Sequence, residues 1–506
     1  MEQYLLAIDL GTSSCKAAVF GRNGSVIDAA TAAYPVYYPH QGWAEQDPEE
    51  WWGGICHAVN TILSNGKVEA KDIACVGIDG QSWSAVAIDK DGKCLTRNPI
   101  WMDNRAKAQC EAAKERLGGD TFFECSGNPL LPSYTTGKVL WYKDVLPEVY
   151  GRIDKILQSN SYIVYRMTGE ITQDMSQGYG WHCFDMRHGV WNEQLLTDLG
   201  LNPSVLPPIS PCDRVVGKVT AEAAAQCGLC EGTPVVAGGL DACCGSLGAG
   251  VLKRGETQEQ GGQAGGMSIC IDTYQADPRL ILSYHVVPDR WLLQGGTVGG
   301  GGVMRWFEQQ FADYERSIAG ETGKSSLEQL GELAAKVRPG SDGLILLPYM
   351  SGERTPIWDP DARGVFYGVD FSKTKGHFVR ACMEAVAYSL RHNLDVASEA
   401  GADVEVLRAV GGSANSLIWT QIKSDITGKP IVVPYSDAAT TLGAAVLAGI
   451  GCGMYTSYEE AVAETVRETR RHEPNEGNKA VYDRYYGIYL KLYESLRDVM
   501  HEQGNM

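Results

Sequence analysis

Short apolar runs interrupted by glycine, serine and aspartate mark the first hundred residues. Residues 4–8 and 16–20 are apolar and β-prone, and Gly11-Thr12-Ser13 lies between them, which predicts a hairpin. Residues 26–33 predict a third strand. Asp47-Pro48-Glu49-Glu50-Trp51-Trp52 predicts a helix start, with aspartate as cap, proline in the first turn and acids near the positive end of the helix dipole. Residues 73–78 form a further apolar run that ends in Asp79-Gly80. A second hairpin is predicted from residues 256–260 and 267–271, turned at Gly261-Gly262-Gln263. Residues 404–410 lead into Gly411-Gly412-Ser413 and a helical pattern through Leu417 and Ile422. Residues 481–500 carry apolar and aromatic side chains at helical spacing. Strands followed by helices in this succession predict an α/β fold.

Length changes that picture from one domain to two. The chain has 506 residues, enough for two large cores, and we expect domains at residues 1–246 and 247–506. Net charge is −18, so a nucleic-acid backbone would be repelled and no nucleic-acid partner is expected. No apolar run approaches the ~18 residues of a membrane span. The first residues lack the basic start and long apolar stretch of a secretion signal, and the fifteen cysteines follow no regular framework. Together these predict a cytoplasmic protein with reduced thiols. Cys227-Gly228-Leu229-Cys230 has redox-motif spacing, but no second pair completes a zinc site.

Two acidic glycine turns carry the candidate chemistry. In Ala7-Ile8-Asp9-Leu10-Gly11-Thr12-Ser13, an aspartate ends an apolar strand beside a turn whose N–H groups can converge on a phosphate. Asp9 there can hold Mg2+, which favours a few carboxylates plus phosphate oxygens; a plain β-turn is the alternative. In Gly238-Gly239-Leu240-Asp241, the aspartate precedes a run of small residues. It suits a general base for a substrate hydroxyl, or simply a helix cap. A Walker-type loop, a His-Glu-x-x-His pair and a Gly-x-Ser-x-Gly elbow are all absent from the sequence.

The combination resembles the FGGY carbohydrate kinases, and within them the xylulokinase-like branch. The matching residues run in order along almost the whole chain: Asp9-Leu10-Gly11-Thr12-Ser13 with Lys16, Gly42 to Pro48, Gly80-Gln81, Trp101 to Arg105, and Asp174-Met175-Ser176. They continue with Gly238 to Asp241, Leu347 to Pro356, Gly364 to Gly368, and Gly411 to Ser416. The resemblance implies two actin-like (ribonuclease-H-like) domains flanking an interdomain nucleotide and sugar cleft, with ATP and Mg2+ between them. It implies Asp241 as catalytic base, Asp9 as metal ligand, and Gly11, Thr12, Ser13 and Lys16 at the first phosphate turn. It also implies Gly261, Gly262 and Gln263 at the second turn, Gly300 and Gly301 close to the nucleotide, and Gly411, Gly412 and Asn415 around adenosine. Gln81, Ser82, Trp83, Trp101, Asp103 and Arg105 become the sugar candidates, and a homodimer is expected.

Two departures stand out. The branch usually reads Gly-Gln-Met-His-Gly where this chain reads Gly80-Gln81-Ser82-Trp83-Ser84, so D-xylulose itself is in question. Trp83 either stacks on a sugar or packs as an ordinary buried indole. Relatives also carry Gly-Thr-Ser where this chain has Gly261-Gly262-Gln263, which removes two hydroxyls but keeps the backbone donors. Asp103 and Arg105 either bind vicinal hydroxyls or form a structural ion pair. The expected function is ATP-dependent phosphorylation of a terminal hydroxyl on a xylulose-like pentulose or related polyol. A catalytically weak sugar-binding regulator and an actin-like ATPase are the rivals.

Overall fold

The computed structural model describes residues 3–435 and 438–504. Alternating apolar positions build two seven-stranded sheets, one in each half of the chain. In the first, Tyr4–Leu10 and Ser14–Phe20 form the expected hairpin and Val26–Ala33 extends it antiparallel. Ile73–Gly80 pairs parallel with Tyr4–Leu10, Pro234–Val236 continues parallel, and Val215–Lys218 closes the edge antiparallel. Leu5 and Ala7 face one buried cluster while Leu6, Ile8 and Leu10 face another, so both sides of the sheet are covered.

The second sheet repeats the same order. Glu256–Gly261, Gly265–Ile271 and Trp291–Thr297 form its antiparallel set, with Ile281–Tyr284 beyond. Val406–Val410 and Ile431–Pro434 continue parallel from Glu256–Gly261, and Glu468–His472 closes the edge antiparallel. This is the duplicated two-domain α/β fold that the family resemblance implies.

Helices fall where the patterns place them. Asp47 caps Pro48–Ser64 by accepting from the Glu49 N–H at 3.0 Å, and that helix buries Trp51, Trp52, Ile55, Val59 and Ile62. Leu417–Thr427 follows Gly411–Ser413, and Lys479–Gly504 forms the long closing helix. Cys227 ends the helix Ala221–Cys227 buried, Cys230 is exposed, and all fifteen cysteines are unpaired, so the Cys227/Cys230 spacing is a helix end. Among the described residues no helix is long and apolar enough to cross a membrane.

Two helices of small residues join the halves. Asp241–Gly248 follows the Gly239–Leu240 strand of the first sheet and also touches the second through Ser246, whose hydroxyl donates to Gln258 Oε1 at 2.9 Å. Ala439–Gly451 follows the second sheet but packs on Tyr4–Leu10 and Ile73–Gly80 of the first. The helices cross backbone to backbone. A Cβ on Gly443 would lie 1.9 Å from the Cys244 carbonyl oxygen, and one on Gly248 would lie 1.8 Å from that of Ala439. The expected division between residues 246 and 247 falls inside the first of these helices.

Gly443→Ala should therefore force the crossing helices apart. The expected loss is ~1–3 kcal/mol of stability, visible in calorimetry as a lower melting temperature. An unchanged melting temperature would mean that the crossing yields freely.

Candidate active site

The parallel register of the first sheet puts Asp9 directly beside Asp79, and its antiparallel register puts Asp9 opposite Lys16. Burial lifts the Asp9 carboxyl above its ordinary range, against the opposing pull of the Asp79 carboxyl beside it and the Lys16 charge. Burial, then the Asp9 charge, pushes Asp79 well up. Of the two carboxyls Asp79 is the one pushed further toward its protonated form, and neither of its oxygens has a hydrogen-bond partner among the described residues. Burial, with the Asp9 charge second, pushes the Asp241 carboxyl up to about 7. Sequence reasoning assigned Asp79 no role, although its place at the end of an apolar strand matches that of Asp9.

The first turn is tied down by its carbonyls. Gly11 donates to the Ser14 carbonyl at 3.1 Å, and its own carbonyl accepts the Tyr34 hydroxyl at 2.5 Å. The Thr12 carbonyl accepts the Gln46 amide at 2.7 Å, and that of Ser13 accepts the Tyr34 N–H at 3.2 Å. The N–H groups of Thr12 and Ser13 have no acceptor among the described residues. The second turn follows the same logic. Gly301 and Gly302 donate to the carbonyls of Gly262 and Gln263, each at 2.8 Å, and leave the N–H groups of those two residues without acceptors among the described residues. A Cβ on Gly301 would lie 2.4 Å from the Gly262 carbonyl oxygen, and one on Gly300 would lie 2.1 Å from the Gly265 nitrogen. The glycine run is therefore required by the turn it supports.

Two cavities meet at this second turn. The larger, about 760 Å3, is lined by Gly261, Gly262, Gln263, Gly301, Gly412 and Asn415. Lys324, Arg305 and Trp419 also face it and were not anticipated. Gly411 lies behind, against Gly261. The smaller, about 310 Å3, is lined by Thr12, Ser82, Trp83, Trp101 and Asp241 from the first half. Gly262, Gln263, Met267, Gly296, Arg354 and Thr355 line it from the second. Gly262 and Gln263 belong to both.

The sugar candidates divide. Trp101 donates its indole N–H to the Thr12 hydroxyl at 2.9 Å, which links the smaller cavity to the first turn. Ser82 accepts from Tyr179 at 2.9 Å. Trp83 stacks on Tyr134 with centroids 4.1 Å apart, and its buried indole N–H has no acceptor among the described residues. Its backbone is held at φ 57°, with its carbonyl accepting from the buried Lys138 ammonium at 2.6 Å. Burial pulls Lys138 down to about 7. Gln81 is buried below this surface and donates to Gln46 Oε1 at 2.8 Å. Asp103 and Arg105 do not line the cavity. They form a buried ion pair at 2.7 Å, extended to Glu45 at 2.9 Å, with the guanidinium 3.8 Å over the Trp43 ring. Asp103 also accepts the Ala44 N–H at 2.7 Å, which makes the pair a brace for the strand ends around it.

A buried polar network fixes the Asp241 turn. Asp174 accepts from Ser176 at 2.6 Å, from the Gln177 N–H at 2.9 Å and from Asn160 at 2.9 Å. Ser176 in turn accepts the Leu240 N–H at 2.8 Å, immediately before Asp241. Asp241 opens its helix and accepts the Ala242 N–H at 2.6 Å.

Comparison with known proteins gives the family of the chain. The family model for the FGGY family of carbohydrate kinases, N-terminal domain, matches residues 4–248, and the C-terminal domain model matches residues 272–452. Gluconokinase of Bacillus subtilis (strain 168) is 32% identical, over 98% of this chain and 97% of its own. Xylulose kinase of the same organism is 30% identical, over 98% of both. The crystal structure of xylulose kinase from Rhodospirillum rubrum superposes with a TM-score of 0.88 at 30% identity, covering 99% of this chain and all of that one.

The raised Asp241 value has a consequence for stability. The folded state holds that proton more tightly than the unfolded chain, so stability falls as pH rises from about 4 toward 7, and the cost is fully present above 7. Asp241→Asn removes the cost. Its melting temperature should exceed that of the parent at pH 8, by the equivalent of ~1–2 kcal/mol because the cleft wets one side of the carboxylate. The gain should vanish toward pH 4, and equal melting temperatures at pH 8 would refute the burial effect.

Proposed function

The chain belongs to the FGGY family of carbohydrate kinases and is a sugar kinase, and from that premise we propose an acceptor and a mechanism. The acceptor is an open-chain ketose of the xylulose type or a related polyol, phosphorylated by ATP at a terminal hydroxyl. The observation that carries this reading is the junction of the two cavities at Gly262 and Gln263, with Asp241 in the smaller one. ATP fits the larger cavity, its phosphates reaching the free N–H groups of Gly262 and Gln263 on one side and of Thr12 and Ser13 on the other. The loss of two hydroxyls at the second turn is thus supported by backbone donors.

In the smaller cavity, Asp241 accepts the proton of the terminal hydroxyl. The acceptor oxygen forms a bond to the γ-phosphorus as the bond from that phosphorus to the β–γ bridging oxygen breaks, and ADP leaves with the electron pair. Trp83 and Trp101 offer ring faces to the carbon chain, and closure of the halves excludes water that would otherwise take the phosphoryl group.

Asp9, Asp79 and Asp241 face one another with Lys16 as the nearby cation acting on Asp9, an oxygen-rich and negatively charged set that fits Mg2+. Asp9 would hold the ion, and the ion would supply charge compensation at the β- and γ-phosphates. The same reading places the enzyme in the cytoplasm, where ATP is available, and expects a homodimer.

The test is ADP release against a panel of ketoses, polyols and sugar acids. Asp241→Asn should lower kcat roughly 10²- to 10⁴-fold with the fold intact, and near-parental turnover would refute the base. Asp9→Asn should raise the Mg2+ concentration needed for half-maximal rate, and an unchanged requirement would remove Asp9 from the metal site. Only ionised Asp241 can take a proton, so kcat/KM should fall about tenfold per pH unit on the acid side of a midpoint of about 7. A flat profile down to pH 5 would contradict this.

A further inference from the structure

Arg354 is a cation of the smaller cavity without a partner among the described residues. It lines that space together with Trp83, Asp241, Gly296 and Thr355, and it takes no part in the nucleotide cavity. Among the described residues, its guanidinium donates no hydrogen bond. Among the described residues no carboxylate is paired with it, and Glu353 acts on it only through its charge. The adjacent acid is already committed: Glu353 accepts from the Thr297 hydroxyl at 2.5 Å, the Val298 N–H at 2.8 Å and the backbone N–H of Arg354 at 2.8 Å. Two buried guanidinium groups of this chain are paired, Arg105 with Asp103 and Glu45, and Arg380 with Glu384.

The setting leaves room for a ligand. Gly265 and Gly266 pair with Thr297 and Gly296 on the neighbouring strand, which gives a floor with few side chains. A Cβ on Gly296 would lie 3.0 Å from a guanidinium nitrogen. An arginine does not shed its proton in a protein, so this half-buried guanidinium presents a standing positive charge to the cavity. Its planar fork matches the paired oxygens of a carboxylate or a phosphoryl group.

We propose that Arg354 is the oxyanion-binding residue of the acceptor cavity. Its anion comes either from the carboxylate of a sugar-acid acceptor or from the phosphoryl group in transit. The proposal rests on the reading of the smaller cavity as the acceptor site. The position of Arg354 outside the nucleotide cavity favours the carboxylate. Beside the neutral ketose or polyol proposed above, which brings the guanidinium no anion, a sugar acid is a further acceptor that satisfies it while presenting its far hydroxyl to Asp241.

The experiment compares the parent enzyme with Arg354→Gln and Arg354→Lys. ADP release is measured with D-gluconate, D-xylulose and xylitol, and calorimetry measures binding of D-gluconate and of inorganic phosphate without ATP. A carboxylate partner predicts that Arg354→Gln raises KM for gluconate roughly 10- to 100-fold, well beyond its effect on the neutral acceptors, with partial rescue by Arg354→Lys. A phosphoryl partner predicts a similar fall in kcat for every acceptor and weaker phosphate binding. Unchanged kcat and KM for all acceptors in a folded Arg354→Gln protein would overturn the proposal. If the parent releases ADP with no acceptor, the function proposed above fails on its own. Arg354 is then judged by calorimetry, where equal gluconate and phosphate binding by parent and Arg354→Gln overturns its role.

Discussion

The crossing of two helices without side chains between them is the constraint on which the rest of this molecule depends. At Gly443 and Gly248, backbone meets backbone at distances that no Cβ could share. One helix starts at Asp241 and ends against the second half; the other leaves the second sheet and lies on the strands that carry Asp9 and Asp79. The spacing between the candidate base and the first phosphate turn is therefore set by how closely these helices approach. Larger side chains at the crossing would widen the cleft at the point where donor and acceptor must meet. Small residues from 242 to 250 are read more fully as a packing requirement than as a helix of weak propensity.

That geometry concentrates acids where burial makes them expensive. Asp9 and Asp79 stand side by side on adjacent strands and burial raises both, and Asp241 is raised by burial and by Asp9. A fold selected for stability alone would not place three carboxylates together away from water. The surrounding structure holds them regardless, through the Asp174–Ser176–Leu240 chain of hydrogen bonds on one side and the Gln46, Tyr34 and Trp101 contacts to the first turn on the other. Each such contact goes to a backbone group or a hydroxyl of a turn, so the turns stay ordered while their inward N–H groups remain free.

Much of this was legible in the sequence, and the limits have physical reasons. The hairpins at Gly11–Ser13 and Gly261–Gln263, the helix capped by Asp47 and the closing helix follow from local periodicity and turn chemistry, which act over a few residues. Thr12, expected at the first phosphate turn, lines one cavity with Ser82, Trp83, Trp101 and Asp241. Asp103 and Arg105 do not, because their two-residue spacing allows an intramolecular fork as readily as a ligand contact, and Glu45 and Trp43 arrive from a distant segment to complete it. Arg354 was visible only as part of a matched string. What distinguishes it is the lack of a partner, and partners are a property of the folded chain. The same holds for Asp79, whose neighbour across the sheet is fixed by strand register and not by sequence distance.

The duplicated frame also explains the polar run Gln258-Glu259-Gln260, buried at its first two positions, in the strand Glu256–Gly261. Glu259 stands two residues before Gly261, as Asp9 stands two before Gly11, and each lies on the strand that joins the antiparallel and parallel parts of its sheet. Beyond that the halves diverge. Across the parallel register Asp9 meets another acid, Asp79, whereas Glu259 meets Ala409. Glu259 is instead paired with the buried Lys423 ammonium at 2.6 Å, which also donates to Ser413 at 2.8 Å. One copy of the turn thus keeps its carboxylate for the cleft, and the other spends it on fastening the Gly411–Asn415 loop beside the nucleotide cavity. Gln258 and Gln260 divide in the same way, the first anchoring the Asp241 helix through Ser246 and the second facing the smaller cavity. Two halves with one topology can therefore do different work, the first supplying acids for chemistry and the second a neutralised scaffold for a polyanionic ligand.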